Sequence, residues 1–523
     1  MAARPQFLNA AACLLVMVAG GAWLFERHEP PLSNPTSETS SSTAAAADRI
    51  DTAIESQWSP DIRPAPVADD LQIARRLALT LHGRIPALDE IRWFESRPAT
   101  TRLDDWVERL LNDRCFSDYF AERFARALVH SKGSDNFPFP YRRALFAAWL
   151  AGEFAKNRPY DELAREMLTA DGLWTNKPAT NFVTAHEADP IRLTTRTMRG
   201  FLGLRIDCAQ CHNHPFADWQ QEDFNGLAAY FGDTGLERFG IGIYEVDRPL
   251  LPTEANPTPV VPHVPFSADL VPHEGPLRQR LACWITHPDN PYFAKALANR
   301  LWALMFGAGL VEKVDDLDGP QQLPGVLDAL ADEVKRSGYD LRYLIRLIAK
   351  TDAFRRSSAF HGDYAAELEP LHAAFPVTRL RSEQLARAML QTTMLTRNDF
   401  NNSAYYQIFE RRLIEELGDK LEEEMEPRHA SLSQRLSLLN SDTLGEPIEA
   451  LWSGSAGVLT LLRPAPEMCV EIAFLVVLSR RPDAEEVRLF ADRFEQTGLS
   501  SRQAQFEDLL WTLTNGTEFG WLH

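Results

Sequence analysis

Apolar residues return every three or four positions through most of this chain, and the runs are punctuated by residues that start and stop helices. "DDLQIARRLALTLHG" (69–83) places Asp69 at an N-cap position and Gly83 at the end of the run. "ALDEIRWFES", "TRLDDWVERLLND" and "FSDYFAERFARALVHS" carry the same spacing. Further on, "DNPYFAKALANRLWALMFG" (289–307) has Asn290 as N-cap, Pro291 in the first turn and Gly307 as terminator. "PGVLDALADEVKRSGYDLRYLIRLIAKTDAF" (324–354) reads as a helical hairpin, with Gly338 ending one helix and Asp340 capping the next. "SEQLARAMLQTTM", "AYYQIFERRLIEELGDKLEEEM", "SLSQRLSLLNSDTLGEPIEALW" and two final helices continue the pattern. Alternating strand periodicity is nearly absent, so the fold class is mainly α.

Three stretches break the pattern and set the organisation. Residues 7–25, "FLNAAACLLVMVAGGAWLF", are almost unbroken apolar and follow Arg4. About twenty apolar residues span a bilayer, and the run ends in aromatic residues rather than a small-residue cleavage site. The expectation is a signal anchor or transmembrane segment over 1–29, with the bulk of the chain in the periplasm or at the cell surface. Residues 30–68 open with "PPLSNPTSETSSSTAAAA", a composition with too little apolar surface to fold, and are expected to be a low-complexity tether. Residues 241–275 are dense in proline, which excludes regular helix. They are expected to form an extended connector, with at most a short strand pair, between helical domains at 69–240 and 276–523.

One internal echo joins the ends of the chain. "LHGRIPALDEIRWFE" (81–95) and "LSRRPDAEEVRLFAD" (478–492) each run from an arginine through a proline turn into a helix with acidic residues on its first turn. Two copies are too few for a solenoid, so the echo reads as a reused packing device.

Composition narrows the function classes. The 523 residues carry a formal charge of −19 and no Lys/Arg-rich run, which excludes nucleic acid as partner. Six cysteines in a chain of this length are not a disulfide framework. Nucleophile-elbow, zinc-protease, P-loop and dinucleotide-binding patterns are absent, so the sequence assigns no enzyme class and no catalytic residue. "VDDLDG" (314–319) lacks the ligand spacing of a calcium loop and reads as a solvated turn; Glu222 and Asp223 read as the charged face of a surface helix.

The chemistry concentrates in "RIDCAQCHNHPF" (205–216). Cys208, Cys211 and His212 stand at i, i+3 and i+4, so one helical turn would put them on one face. A c-type haem needs that set, two thiols and an imidazole, with Met198 or His186 as candidate distal ligands. A zinc or iron site could instead draw on Cys208, Cys211, His212 and His214, completed by a distant residue such as His186, His263 or His273. A Cys208–Cys211 disulfide, redox-active or structural, is the third chemistry, and a loop that binds nothing is the fourth. The residues alone leave these alternatives open.

"FLGLRIDCAQCHNHPFADWQQEDFNGLAAYF" (201–231) resembles the signature of the planctomycete cytochrome c-associated two-domain family. The second domain of that family is matched by "NPYFAKALANRLWALMFGAGLVEKVDDL", "SGYDLRYLIRLIAKTDAFRRSS", "SLSQRLSLLNSDTL" and "FLVVLSRRPDAEEVRLFADRF". The resemblance implies an exported, mostly helical protein whose domains have no assigned reaction, with Cys208, Cys211, His212 and His214 as the residues carried over. It also implies company: relatives accompany secreted sulfatase-like proteins, which suggests partners among polysaccharide-degrading enzymes. Two functions follow as expectations. One is electron transfer through covalent haem or a metal; the other is a non-enzymatic scaffold whose motif holds a structural metal or a disulfide.

Overall fold

The computed structural model describes residues 37–129, 143–173, 176–215, 217–236, 242–245, 260–358, 365–397, 404–417, 456–457, 464–495 and 499–523. Over these residues the protein is mainly helical, and several ends fall on the capping residues that the sequence supplies. Asp69 accepts from the Leu71 N–H at 2.8 Å and opens the Asp70–His82 helix. Gly83 closes it at φ +69°, where a Cβ would meet the Tyr119 ring at 2.5 Å, so no larger residue fits. Asp340 accepts from the Tyr343 N–H at 2.9 Å and opens Leu341–Lys350. Asn290 accepts from the N–H groups of Tyr292 and Phe293, so the Phe293–Phe306 helix starts just beyond Pro291. The helix expected from "SLSQRLSLLNSDTLGEPIEALW" lies outside the described residues.

Two expectations are corrected. Among the described residues no helix is long and apolar enough to cross a membrane. The fold is therefore mainly helical without a supported N-terminal membrane segment; residues 7–25, on which that expectation rested, lie outside the described residues. The tether is the second correction, because Ser37–Glu55 is a helix. Its average composition hides a stripe: Ala46, Ile50 and Ile54, four residues apart, are buried. That stripe packs on the helices Pro324–Arg336 and Leu341–Lys350. Arg49 then pairs with Glu333 at 2.6 Å, and Asp51 accepts from the Asp352 N–H at 2.8 Å, capping Asp352–Arg355. Alanine is the best helix former, so a run that cannot build a core alone folds well against a core already present.

The described parts of the connector, 242–245 and 260–275, are packed on the helical blocks. Gly242–Glu245 is the central strand of a three-stranded antiparallel sheet, between Gly172–Leu173 and Thr234–Leu236. Val264 and Val271 are buried, and the His263 backbone N–H donates to the Gly226 carbonyl at 3.3 Å.

The helical blocks on either side share one core, which runs without a break from Ala46 to Leu522. Two buried arginines show how tightly the halves are joined. Arg75 donates to the carbonyls of Val477 and Phe519; Arg76 donates to those of Phe354, Arg356 and His523 and stacks 3.8 Å over the Phe375 ring. Burial pulls both guanidinium groups down, to about 10 and about 9, and the carbonyls replace part of the hydrogen bonding that water gave them, leaving Arg75 Nε and Arg76 Nη2 without a partner among the described residues. One shared core predicts one cooperative transition. Calorimetry of the full chain should give a single unfolding peak; two resolved peaks, or a stably folded fragment 276–523, would contradict this.

The sequence echo is a structural echo. Gly83 and Ser479 both take left-handed conformations, at φ +69° and +54°. Arg84 then grips Glu90 through two bonds of 2.7 Å, while Arg480 grips Glu486 through two of 2.8 Å. Each glutamate also accepts from a backbone N–H three residues back, Ala87 or Asp483. Both copies thus share the arginine clamp and the glutamate arm of a capping box; only in the second does the N-cap side chain, Asp483, accept in return from the Glu486 N–H, an arm that Ala87 cannot supply.

Candidate functional site

The 208–214 loop is positioned from both sides. Upstream, Asp189 caps the Pro190–Thr197 helix, which runs into a widened turn at Met198–Leu202 and stops at Gly203 with φ +63°. A Cβ on Gly203 would meet the Leu317 side chain at 2.9 Å, and the Gly203 carbonyl accepts the Leu317 N–H at 2.7 Å. Leu204, Ile206 and Ala209 are buried and fix a short 3-10 turn, Asp207–Gln210. Cys208, Cys211 and His212 are therefore left exposed.

The turn is too short to satisfy its own carbonyls, and the next helix, Gln221–Ala229, satisfies them. The Gln221 side chain donates to the Gln210 and Cys211 carbonyls at 3.3 and 3.0 Å, and its N–H donates to the Asn213 side chain at 3.0 Å. Asp223 accepts from the Gln220 N–H at 2.9 Å, which gives it a capping role at this helix start. The expected α-turn is thus a 3-10 turn that ends before Cys211. The two thiols and the imidazole are all exposed on this loop.

Within the loop, His212 Nδ1 lies 2.7 Å from the Asn213 carbonyl. A carbonyl only accepts, so Nδ1 carries the hydrogen and the Nε2 lone pair of the neutral ring is left for a ligand. His214 is half-buried, and its backbone N–H donates to the Trp219 carbonyl at 2.8 Å. Cys208 and Cys211 are free thiols. Among the described residues no group of three or more His, Cys, Asp or Glu is placed to hold a metal ion.

The remaining candidates lie in the core. Met198 is buried, and so is His186, whose Nδ1 donates to the Phe182 carbonyl at 2.7 Å while its ring packs on Phe182. Phe201, Leu202, Phe224 and Phe231, apolar neighbours of the motif in sequence, are buried as well.

Sequence reasoning missed the other wall of the site. "VDDLDG" is a docking element rather than a solvated turn. Asp315 accepts from Arg205 at 2.6 and 2.9 Å and pairs with Arg199 at 3.6 Å, while Arg199 also grips Asp207. Asp318 accepts from Trp219 Nε1 at 3.0 Å and from the Tyr292 hydroxyl at 3.5 Å. Asp318 is exposed, yet partial desolvation by its neighbours pushes its carboxyl up, and the nearby Asp316 adds to this. Three carboxylates in six residues were the available signal; their arginine and tryptophan partners, more than ninety residues upstream, were not visible from the loop itself.

Two adjoining cavities, about 230 and 250 Å³, lie elsewhere, where the helices Ser37–Glu55, Arg102–Leu111 and Leu341–Lys350 meet. They share Leu103, Asp104, Lys350 and Arg355, and Lys350 pairs with Asp104 at 2.8 Å.

Compared with known families, residues 49–235 match the family described as Protein of unknown function (DUF1549), and residues 277–430 match Protein of unknown function (DUF1553). No curated protein and no solved structure matches the chain.

Proposed function

We propose, for a chain that carries these two domains of unknown function in tandem, that the 208–214 loop is a redox centre built to carry a covalently bound c-type haem. The observation that carries the reading is the state of His212. Its Nδ1 hydrogen is committed to the Asn213 carbonyl, and it stands on the same exposed loop as two free thiols. Ligating imidazoles are usually fixed in this way, with the second ring nitrogen bonded to a backbone carbonyl or carboxylate.

The donor set fits the attachment side of such a group. Cys208 and Cys211 would form the two thioether bonds, each S–H adding across a vinyl double bond, and His212 Nε2 would face the iron. Bound there, the group supplies a one-electron couple. Gln221 and Asn213 hold the loop backbone while the side chains stay accessible. Met198 and His186 are withdrawn into the core, so the reading includes neither as a second axial ligand.

That same withdrawal favours a second reading, a reversible Cys208–Cys211 disulfide exchanging electrons with a partner's thiols. One preparation separates the two. Full-length protein from an exporting host with haem-attachment machinery should keep its colour after denaturation, because thioethers survive unfolding. Cys208→Ser with Cys211→Ser should abolish the colour, and His212→Ala should alter iron ligation in the absorption spectrum. A colourless wild-type product, with both thiols oxidised and reducible, overturns the haem reading in favour of the disulfide. Metal released by a chelator under denaturing conditions would replace both with a zinc or iron site.

A further inference from the structure

We infer that Asp318, on the acidic loop of the C-terminal block, is a positioning residue of the 208–214 loop, so that the centre is built jointly by both domains. The inference rests on the reading of that loop as the functional centre and adds a component from outside its own domain.

The chain of contacts is short. Asp318 Oδ2 accepts the Trp219 indole N–H at 3.0 Å, and the Trp219 carbonyl accepts the His214 N–H at 2.8 Å. Trp219 is half-buried against Phe266, with ring centroids 6.4 Å apart, and Phe266 lies 5.2 Å from Tyr292. The Tyr292 hydroxyl returns to the other Asp318 oxygen at 3.5 Å. Asp318 therefore holds one indole and one phenol, and through the indole it fixes the backbone two residues past His212.

The rest of the acidic loop anchors the start of the motif. Leu317 N–H bonds the Gly203 carbonyl and its side chain fills the space beside that glycine. Asp315 ties Arg205 and Arg199, and Arg199 ties Asp207, the residue before Cys208. Both ends of the loop thus rest on residues 315–318. A 3-10 turn with exposed donors has little packing of its own, so contacts from outside decide whether its side chains keep one geometry.

The test uses the full chain and needs no bound group, so it is decided separately from the haem reading. Hydrogen exchange of the segment 207–219, and the rate at which Cys208 and Cys211 react with iodoacetamide, are compared in wild type, Asp318→Ala, Asp318→Asn, Trp219→Phe and the Asp318→Ala/Trp219→Phe double variant. Asp318→Ala should accelerate both readouts about tenfold, the scale of one hydrogen bond to a charged group. Trp219→Phe should match it, and the double variant should be no faster than either, because one interaction is removed. Asp318→Asn keeps an oxygen acceptor and should restore rates to within about twofold. Unchanged rates in Asp318→Ala, failure of Asp318→Asn to restore them, or acceleration spread evenly over the whole chain would overturn the assignment.

Discussion

Glu90→Ala is expected to lower the unfolding free energy by about 3–5 kcal/mol, whereas Glu486→Ala, the same change in the same local device, should cost about 1 kcal/mol or less. The contrast comes from burial. Arg84 and Glu90 are 1% and 2% exposed, so removing the carboxylate strands a buried guanidinium that keeps only the Ile85 carbonyl at 3.0 Å. Burial alone would raise the Glu90 pKa, yet the Arg84 charge and its two hydrogen bonds hold it down to about 2. The second copy sits at the surface, with Arg480 36% and Glu486 26% exposed. Arg480 there also holds Glu518 at 2.7 Å, so loss of Glu486 leaves it both solvated and paired. Urea unfolding of the two variants measures the difference; equal costs would show that burial is not what separates the copies.

Acid should withdraw one contribution to stability well above the carboxylate range, because His82 is buried as a neutral ring. Its Nε2 lies 2.9 Å from the Leu110 carbonyl, and burial brings its pKa down from 6.5 to about 4. The sign follows from proton binding: between these values the unfolded chain takes up a proton that the folded chain refuses, so stability falls as pH falls. The contribution is complete above pH 6.5 and is lost on the way down to about 4, amounting to about 3 kcal/mol. Asp51 works in the opposite sense. Burial holds it up at about 6, so its contribution is full below pH 3.8 and is lost as pH rises through 6. The two offset each other between pH 6 and 4, and the net loss comes below pH 4.5, because Glu90, Glu383 and Glu518 are all held down at about 2 and must protonate. A His82→Gln variant isolates the histidine. Its stability difference from wild type should change by about 3 kcal/mol between pH 6.5 and 4, and a pH-independent difference would exclude this account.

Legibility in the sequence followed the range of the interaction. Helix ends were readable because capping is settled within four residues: Asp69, Gly83 and Asp340 act on backbone groups beside them, and Gly307 takes the left-handed turn that ends its helix. The echo of arginine, proline turn and acidic first turn was readable twice for the same reason, while the Arg84–Glu90 clamp within it came from the structure. The candidate site was half readable. Cys208, Cys211, His212 and His214 announced themselves by spacing, but the form of their turn depended on Gln221 and on the buried Ala209.

The sequence by itself determined a mainly helical chain, its helix boundaries, and one concentration of thiols and imidazoles, because periodicity, capping and residue chemistry are local properties. Only the tertiary structure decided that the alanine-rich stretch folds, that two blocks share one core, and that Met198 and His186 are interior residues. Only it could turn "VDDLDG" from a surface turn into the seat of the candidate site. Each of those outcomes depends on a partner tens to hundreds of residues away: Ile50 is buried by helices beyond residue 323, Arg76 donates to carbonyls at 354 and 523, and Asp318 meets Trp219. Burial and charge pairing at such separations are properties of the assembled core, and no window along the chain contains both partners.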